Sequence, residues 1–254
     1  MMRRLLPLLA MLVLWEGLCL AKVLPDFVLP SPLAVALRLW ADAPLLAGHA
    51  AATVIEVALG LMLGVGMGGL LAVAMQLSAR LRRLVAPMLA LSQAVPVFVL
   101  APVLTLWLGY GLGPKIAMTV LLVFFPVTTS LLESMATVPQ ASLDLARIAG
   151  ANPWRSLLWL QLPHAVPGLR AGLKIAATYA PTGAVIGEWI GASQGLGFLM
   201  LKANAMMQAD LMFAALVLVV AITLALVWLV EALPAEADQT FRPAKSAGPA
   251  ARFP

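Results

Sequence analysis

The chain has 254 residues, 63% of them hydrophobic and 11% charged, with a mean hydropathy of +1.00. Soluble domains carry about a quarter charged residues, so this composition excludes one and points to a chain solvated mostly by lipid. The formal net charge of +5 is no nucleic-acid footprint, because the basic residues follow the membrane topology described below rather than forming one patch.

A bilayer core of about 30 Å is crossed by a helix of about 20 apolar residues. Runs of this kind at 5–20, 53–75, 84–107, 116–132, 166–186 and 211–230 predict an all-α polytopic membrane protein with about six transmembrane helices. Loops between them are short, which predicts one membrane domain. The first run follows Arg3 and Arg4, as a signal peptide would, but Glu16 is out of place in a secretory core and no A-x-A site follows. An uncleaved signal anchor is therefore expected, giving residues 1–52 as that span and an outer loop. Cys19 is the only cysteine, which rules out an intrachain disulfide, and it has no assigned role.

The outer loop, 21–52, reads as extended around "PDFVLPSP", with "LAVALRLW" as an interfacial helix that sets Trp40 at headgroup level. Gly60, Gly64, Gly68 and Ala72 recur every four residues in the second span and predict a face for close helix packing. A tight loop is expected at 76–83. The third span holds Gln93, Pro96 and Pro102, so a kinked helix is expected, with Gln93 either facing a pathway or serving packing. The fourth carries Thr128, Thr129 and Ser130. The fifth carries Thr178, Tyr179 and Thr182 around Pro181. Hydroxyls of this kind usually bond back to their own helix, while the Tyr179 ring offers a stacking face for a planar solute. Glu188 ends the fifth span, at an outer gate or as a brace for the next loop. Glu56 and Glu133 sit near span ends, within reach of interface water. His49 and His164 lie isolated, without metal-ligand spacing. No metal site and no catalytic residue are expected. After Leu233 the composition predicts a disordered tail, 234–254.

Threading these spans from a cytoplasmic N-terminus puts Arg3, Arg4, Arg80, Arg82, Arg83, Arg147, Arg155, Arg170, Lys174, Arg242, Lys245 and Arg252 on or near the inner side. Lys22, Arg38, Lys115 and Lys202 fall outside, so the positive-inside rule predicts both termini in the cytoplasm.

The cytoplasmic stretch "DLARIAGANPWRSLLWLQLP" interrupts this apolar pattern. A helix reaching Ala149 ends at Gly150. Asn152 and Pro153 then supply a cap and a first turn for a second helix, which Pro163 is expected to stop. Ala141, Leu145 and Ile148 share one face, as do Trp154, Leu158 and Leu162. Such a helix pair either lies on anionic lipid or docks into a soluble partner, and amphipathicity does not decide between them.

The residue spacing resembles the signature of the permeases of prokaryotic ABC importers: E-A-A, three residues, G, nine residues, I-x-L-P. Asp144, Leu145 and Ala146 occupy its first positions, Gly150 follows at the right interval, and Leu160, Leu162 and Pro163 close it. Asp replaces Glu, Leu160 replaces Ile, and Leu145 replaces the first Ala. "LGYGLGPKIAM", "PGLRAGLKIA" and "GEWIGASQGLGFLML" are similar to the sulfonate, taurine, nitrate and thiamine-pyrimidine-precursor subgroup. The resemblance covers 53–233 and implies a MetI-like permease core in which the coupling helices, about 139–163, seat on a cytoplasmic ATPase. It also implies a second permease copy, a homodimer by preference, and a solute-binding protein outside. The expected function is ATP-driven import of a small solute across the bacterial inner membrane. A hydroxymethylpyrimidine-type thiamine precursor is the favoured substrate guess, with sulfonate, taurine or nitrate beside it. Gln93, Thr129, Tyr179, Thr182 and Glu188 are the pathway candidates. ATP and Mg would be bound by the partner, because the sequence contains no G-x-x-x-x-G-K-[ST] phosphate loop. The rival reading, a secondary transporter driven by an ion gradient, leaves the cytoplasmic signature unexplained.

Overall fold

The structure is a computed structural model that describes residues 2–233, with side chains from residue 10 onward. The expected tail at 234–254 lies outside the described residues. Among those described, every regular element is a helix. Helix α1 (Met2–Leu20) leads through a turn to α2 (Pro32–Ala41), which starts as the sequence dictates. Ser31 accepts a hydrogen bond from the Ala34 amide at 3.1 Å, and Pro32 fills the first turn, where no amide is needed.

Helix α3 (Ala43–Leu77) follows after the single residue Asp42, so 43–52 is not loop as expected but the first turns of a 35-residue helix. Pro44 is compatible with a first turn, and in the alanine-rich stretch after it Gly48 is the one poor helix former. Helix α4 (Ala79–Ser92) likewise begins straight after Ser78, which caps it by accepting from the Leu81 amide at 3.2 Å. The expected 76–83 loop is therefore only a one-residue break.

The third predicted span is not a kinked helix. It is two helices, α4 and α5 (Val97–Leu108), meeting at 103°. The break falls where Pro96 lacks an amide hydrogen and disfavours helical backbone at Val95, which favours an interruption at this point. Helices α3, α6 (Leu112–Ala136) and α12 (Ala209–Glu231) are long and apolar enough to cross a membrane, and the bent pair brings the number to four if it counts as one span. Helix α10 (Val166–Glu188) equals α12 in length at 23 residues, but Arg170, Lys174 and Glu188 make it less apolar. The predicted 188–210 loop contains a further helix, α11 (Leu196–Ala205).

Helix α6 is the centre of the bundle, with α3 on one side and α10 on the other. Small residues permit both approaches. A Cβ at Gly64 would come within 2.7 Å of Val123, and one at Gly68 within 2.6 Å of the Phe124 carbonyl. On α10, a Cβ at Gly183 or Gly187 would come within 2.7 Å of α6 backbone. Backbones this close gain dispersion contacts that larger side chains would prevent. Buried side chains fill three levels: Ala72, Met75, Leu131 and Met135 at one end, Val57, Val123, Val127 and Ala180 in the middle, and Leu46, Leu196, Leu199 and Leu211 at the other.

Candidate functional site

At the first of these ends stands the signature segment. Helix α7 (Gln140–Ile148) is followed by Gly150 at φ +80°, a backbone conformation that glycine adopts without a Cβ penalty. Asn152 then accepts from the Arg155 amide at 2.8 Å and opens α8 (Pro153–Ser156). Pro163 does not stop this second helix. The chain runs on through a π turn (Leu157–Gln161) into α9 (Leu162–His164), so the helix absorbs its proline. In the π turn the Leu162 amide bonds to the Leu157 carbonyl, five residues back. That wider register makes room where an α-helix would drive the proline ring into the carbonyl four residues before it.

The two arms expose apolar side chains, with Leu145 at 67%, Ile148 at 84% and Trp159 at 82% of full exposure. Between them lies a groove of about 520 Å³, lined by Leu145, Ala146, Gly150, Arg155, Trp159 and Leu160 among others. Asp144 is exposed and paired within its own helix, accepting from Arg147 at 3.1 Å and from Gln140 at 3.2 Å. Leu162 packs on the adjoining core cluster, and Leu157 is fully buried in it. The segment is thereby fastened to the bundle on one side and open on the other. Gln76 of α3 donates to Gln161 in the π turn at 2.7 Å, a polar tie between the hairpin and the core.

A second feature lies further along the bundle, where the α4–α5 elbow meets α6 and α10. A cavity of about 350 Å³ is lined by Gln93, Leu122, Phe125, Pro126, Thr129, Ser130, Ile175 and Tyr179. It brings together three pathway candidates far apart in sequence: Gln93, Thr129 and Tyr179. Thr182 is exposed one turn beyond Tyr179 and does not line it. The hydroxyls of Thr128, Thr129 and Thr178 donate to carbonyls four residues back.

Glu188 belongs elsewhere, in a buried polar cluster at the far end. It accepts from Thr53 Oγ1 at 2.6 Å and from the Gly197 amide, and it faces Glu56. Thr53 in turn accepts from the Leu196 amide at 2.8 Å, and His49 Nδ1 accepts from the Gly195 amide at 3.1 Å. Gly195, at φ +122°, has no room for a Cβ against the Glu188 carboxyl. Glu56 does not reach interface water as expected. It is wholly buried and paired with Lys115 at 2.6 Å. Sequence reading missed this cluster, and it took His49 as incidental. The one available signal was that Glu56, Lys115 and Glu188 all stand at edges of apolar runs.

This architecture is that of a MetI-like transporter core. The chain resembles a chain of the MetNI methionine ABC transporter in its inward-facing conformations, with a TM-score of 0.56 and 22% identity over 76% of this chain and 96% of that one. Residues 60–237 match the family described as binding-protein-dependent transport system inner membrane component, and the chain belongs to that family. A probable ABC transporter permease protein of Haemophilus influenzae is 45% identical, covering 85% of this chain and 88% of the relative. The formylaminopyrimidine transport permease protein ThiX of Halalkalibacterium halodurans is 35% identical, covering 75% and 76%. The chain is thus an integral inner-membrane permease of the ABC importer class.

Proposed function

We propose that the chain is the membrane half of an ATP-driven importer in which the 140–164 hairpin is the handle for a cytoplasmic ATPase. The observation that carries this reading is the hairpin itself: exposed Leu145, Ile148 and Trp159 flank an open groove, while Leu157 and Leu162 anchor the same element in the core. A face so apolar in the aqueous phase is costly unless a partner covers it. A rigid anchor lets motion of that partner reach α10 and α6. Two copies of the chain would line one path, a binding protein would deliver the solute, and ATP with Mg would stay on the ATPase. Closure of the ATPase dimer would swing both handles and expose the path to alternate sides. Gln93, Thr129 and Tyr179 would meet the solute, with Thr182 one turn further along and Glu188 bracing the outer loop. A pyrimidine-type solute is favoured over a sulfonate, in keeping with the name of the ThiX relative.

The test is a pull-down combined with transport. Gly150→Asp, which puts a charge into the groove and a side chain at positive φ, should abolish ATPase association and uptake while membrane insertion stays normal. Ile148→Glu, on the exposed face, should behave the same way. Normal ATPase association in both variants would sink the reading.

A further inference from the structure

The cavity at the α4–α5 elbow has a definite chemical character. Phe125 and Tyr179 supply aromatic surface, and Tyr179 is 49% exposed, so its ring is accessible. Gln93 supplies an amide with both a donor and an acceptor end, and among the described residues its Nε2 donates to Ser92 alone, at 3.3 Å. Thr129 donates to its own helix, which leaves its oxygen free to accept. Among the described residues no charged side chain lines the space. Lys174, beside Ile175 in the chain, is paired with Glu231 on α12, and Arg170 donates to the Glu231 carbonyl. The cations of this part of α10 are therefore held away from the cavity.

An anion entering here would leave water without gaining a cationic partner, which is costly in a site walled by apolar helices. A planar ring with in-plane donors and acceptors could instead stack on Tyr179 and bond to the Gln93 amide. At about 350 Å³ the cavity stands near the lower end of small-molecule sites, a size suited to one small ring.

We infer that this cavity is a selecting station of the permease itself, taking an uncharged planar nitrogen heterocycle and rejecting sulfonates and other organic anions. The inference rests on the importer reading above and adds to it that selectivity does not reside in the binding protein alone.

The experiment uses cells in which the complete assembly is the only route for the probes, labelled hydroxymethylpyrimidine and labelled taurine. Wild type should import the pyrimidine and leave taurine at background. Tyr179→Ala should lose at least about tenfold in pyrimidine import, and Tyr179→Phe, which restores the stacking face, should recover most of that loss. Gln93→Lys, at the exposed elbow where folding is not at stake, should lose pyrimidine import to a similar degree. Wild-type import by Tyr179→Ala or by Gln93→Lys would overturn the inference, as would taurine import at the pyrimidine rate. Import of neither probe would overturn it too, while leaving the importer reading to the ATPase-association test. Pyrimidine import that survives ATP depletion would instead bring down the importer reading, and this inference with it.

Discussion

Glu56 and Lys115 are 59 residues apart in the chain, yet their side chains meet at 2.6 Å with almost no access to solvent. Each charge was legible in the sequence only as a polar residue at the edge of an apolar run, a position that ordinarily means contact with interface water. What the sequence does not show is that the glycine faces of α3 and α10 draw both helices onto α6, so that these edges become interior. Charges confined there must find one another. Removing one partner leaves the other buried and unpaired, so Lys115→Met should destabilise the fold by about 3–5 kcal/mol. Adding Glu56→Gln should recover most of that loss. Thermal melting of the purified protein would decide it, and a single variant as stable as the double would contradict the argument.

At the scale of the helix, the glycine spacing of α3 was readable because four-residue repeats of small residues have one dominant use in membranes. The matching face of α10 was not read, since Arg170, Lys174 and Tyr179 fall between its glycines and obscure the repeat. The two faces allow a comparison within one helix. A methyl at Gly64 would come within 2.7 Å of Val123, whereas a methyl at Gly66 would meet nothing within 4 Å. Gly64→Ala should therefore cost about 1–3 kcal/mol from overpacking. Gly66→Ala should be neutral or gain up to about 1 kcal/mol from helix propensity. Equal melting temperatures for the two would show that the interhelical contact is looser than the structure has it. The broken third span shows a different limit of sequence reading. Pro96 announced a disturbance, but whether a proline bends a helix or ends it depends on what packs against the two arms, which no local pattern encodes.

For the molecule as a whole, the family was legible because its signature lies in one contiguous segment, whereas the elbow cavity is assembled from α6, α10 and the elbow residue Gln93, so that Gln93, Thr129 and Tyr179 were legible singly but not as neighbours. The distribution of arginine and lysine predicts an orientation that can be checked cheaply. Cys19 is the only cysteine, so Cys19→Ser provides a blank background. With the hairpin inside, a membrane-impermeant maleimide should label Ser193→Cys in spheroplasts, and Ala151→Cys only after permeabilisation. The reverse pattern would invert the topology. The π turn also has a consequence for inheritance. A π turn is an α-helix with one residue too many, and each residue advances an α-helix by about 100°. Deleting one residue such as Trp159 would turn the hairpin by roughly that angle about the axis of the following helix and bring Pro163 into conflict with the preceding turn. The compass bearing of the handle thus depends on a single codon, and drift in the number of residues here should be far more tightly constrained than drift in their identity.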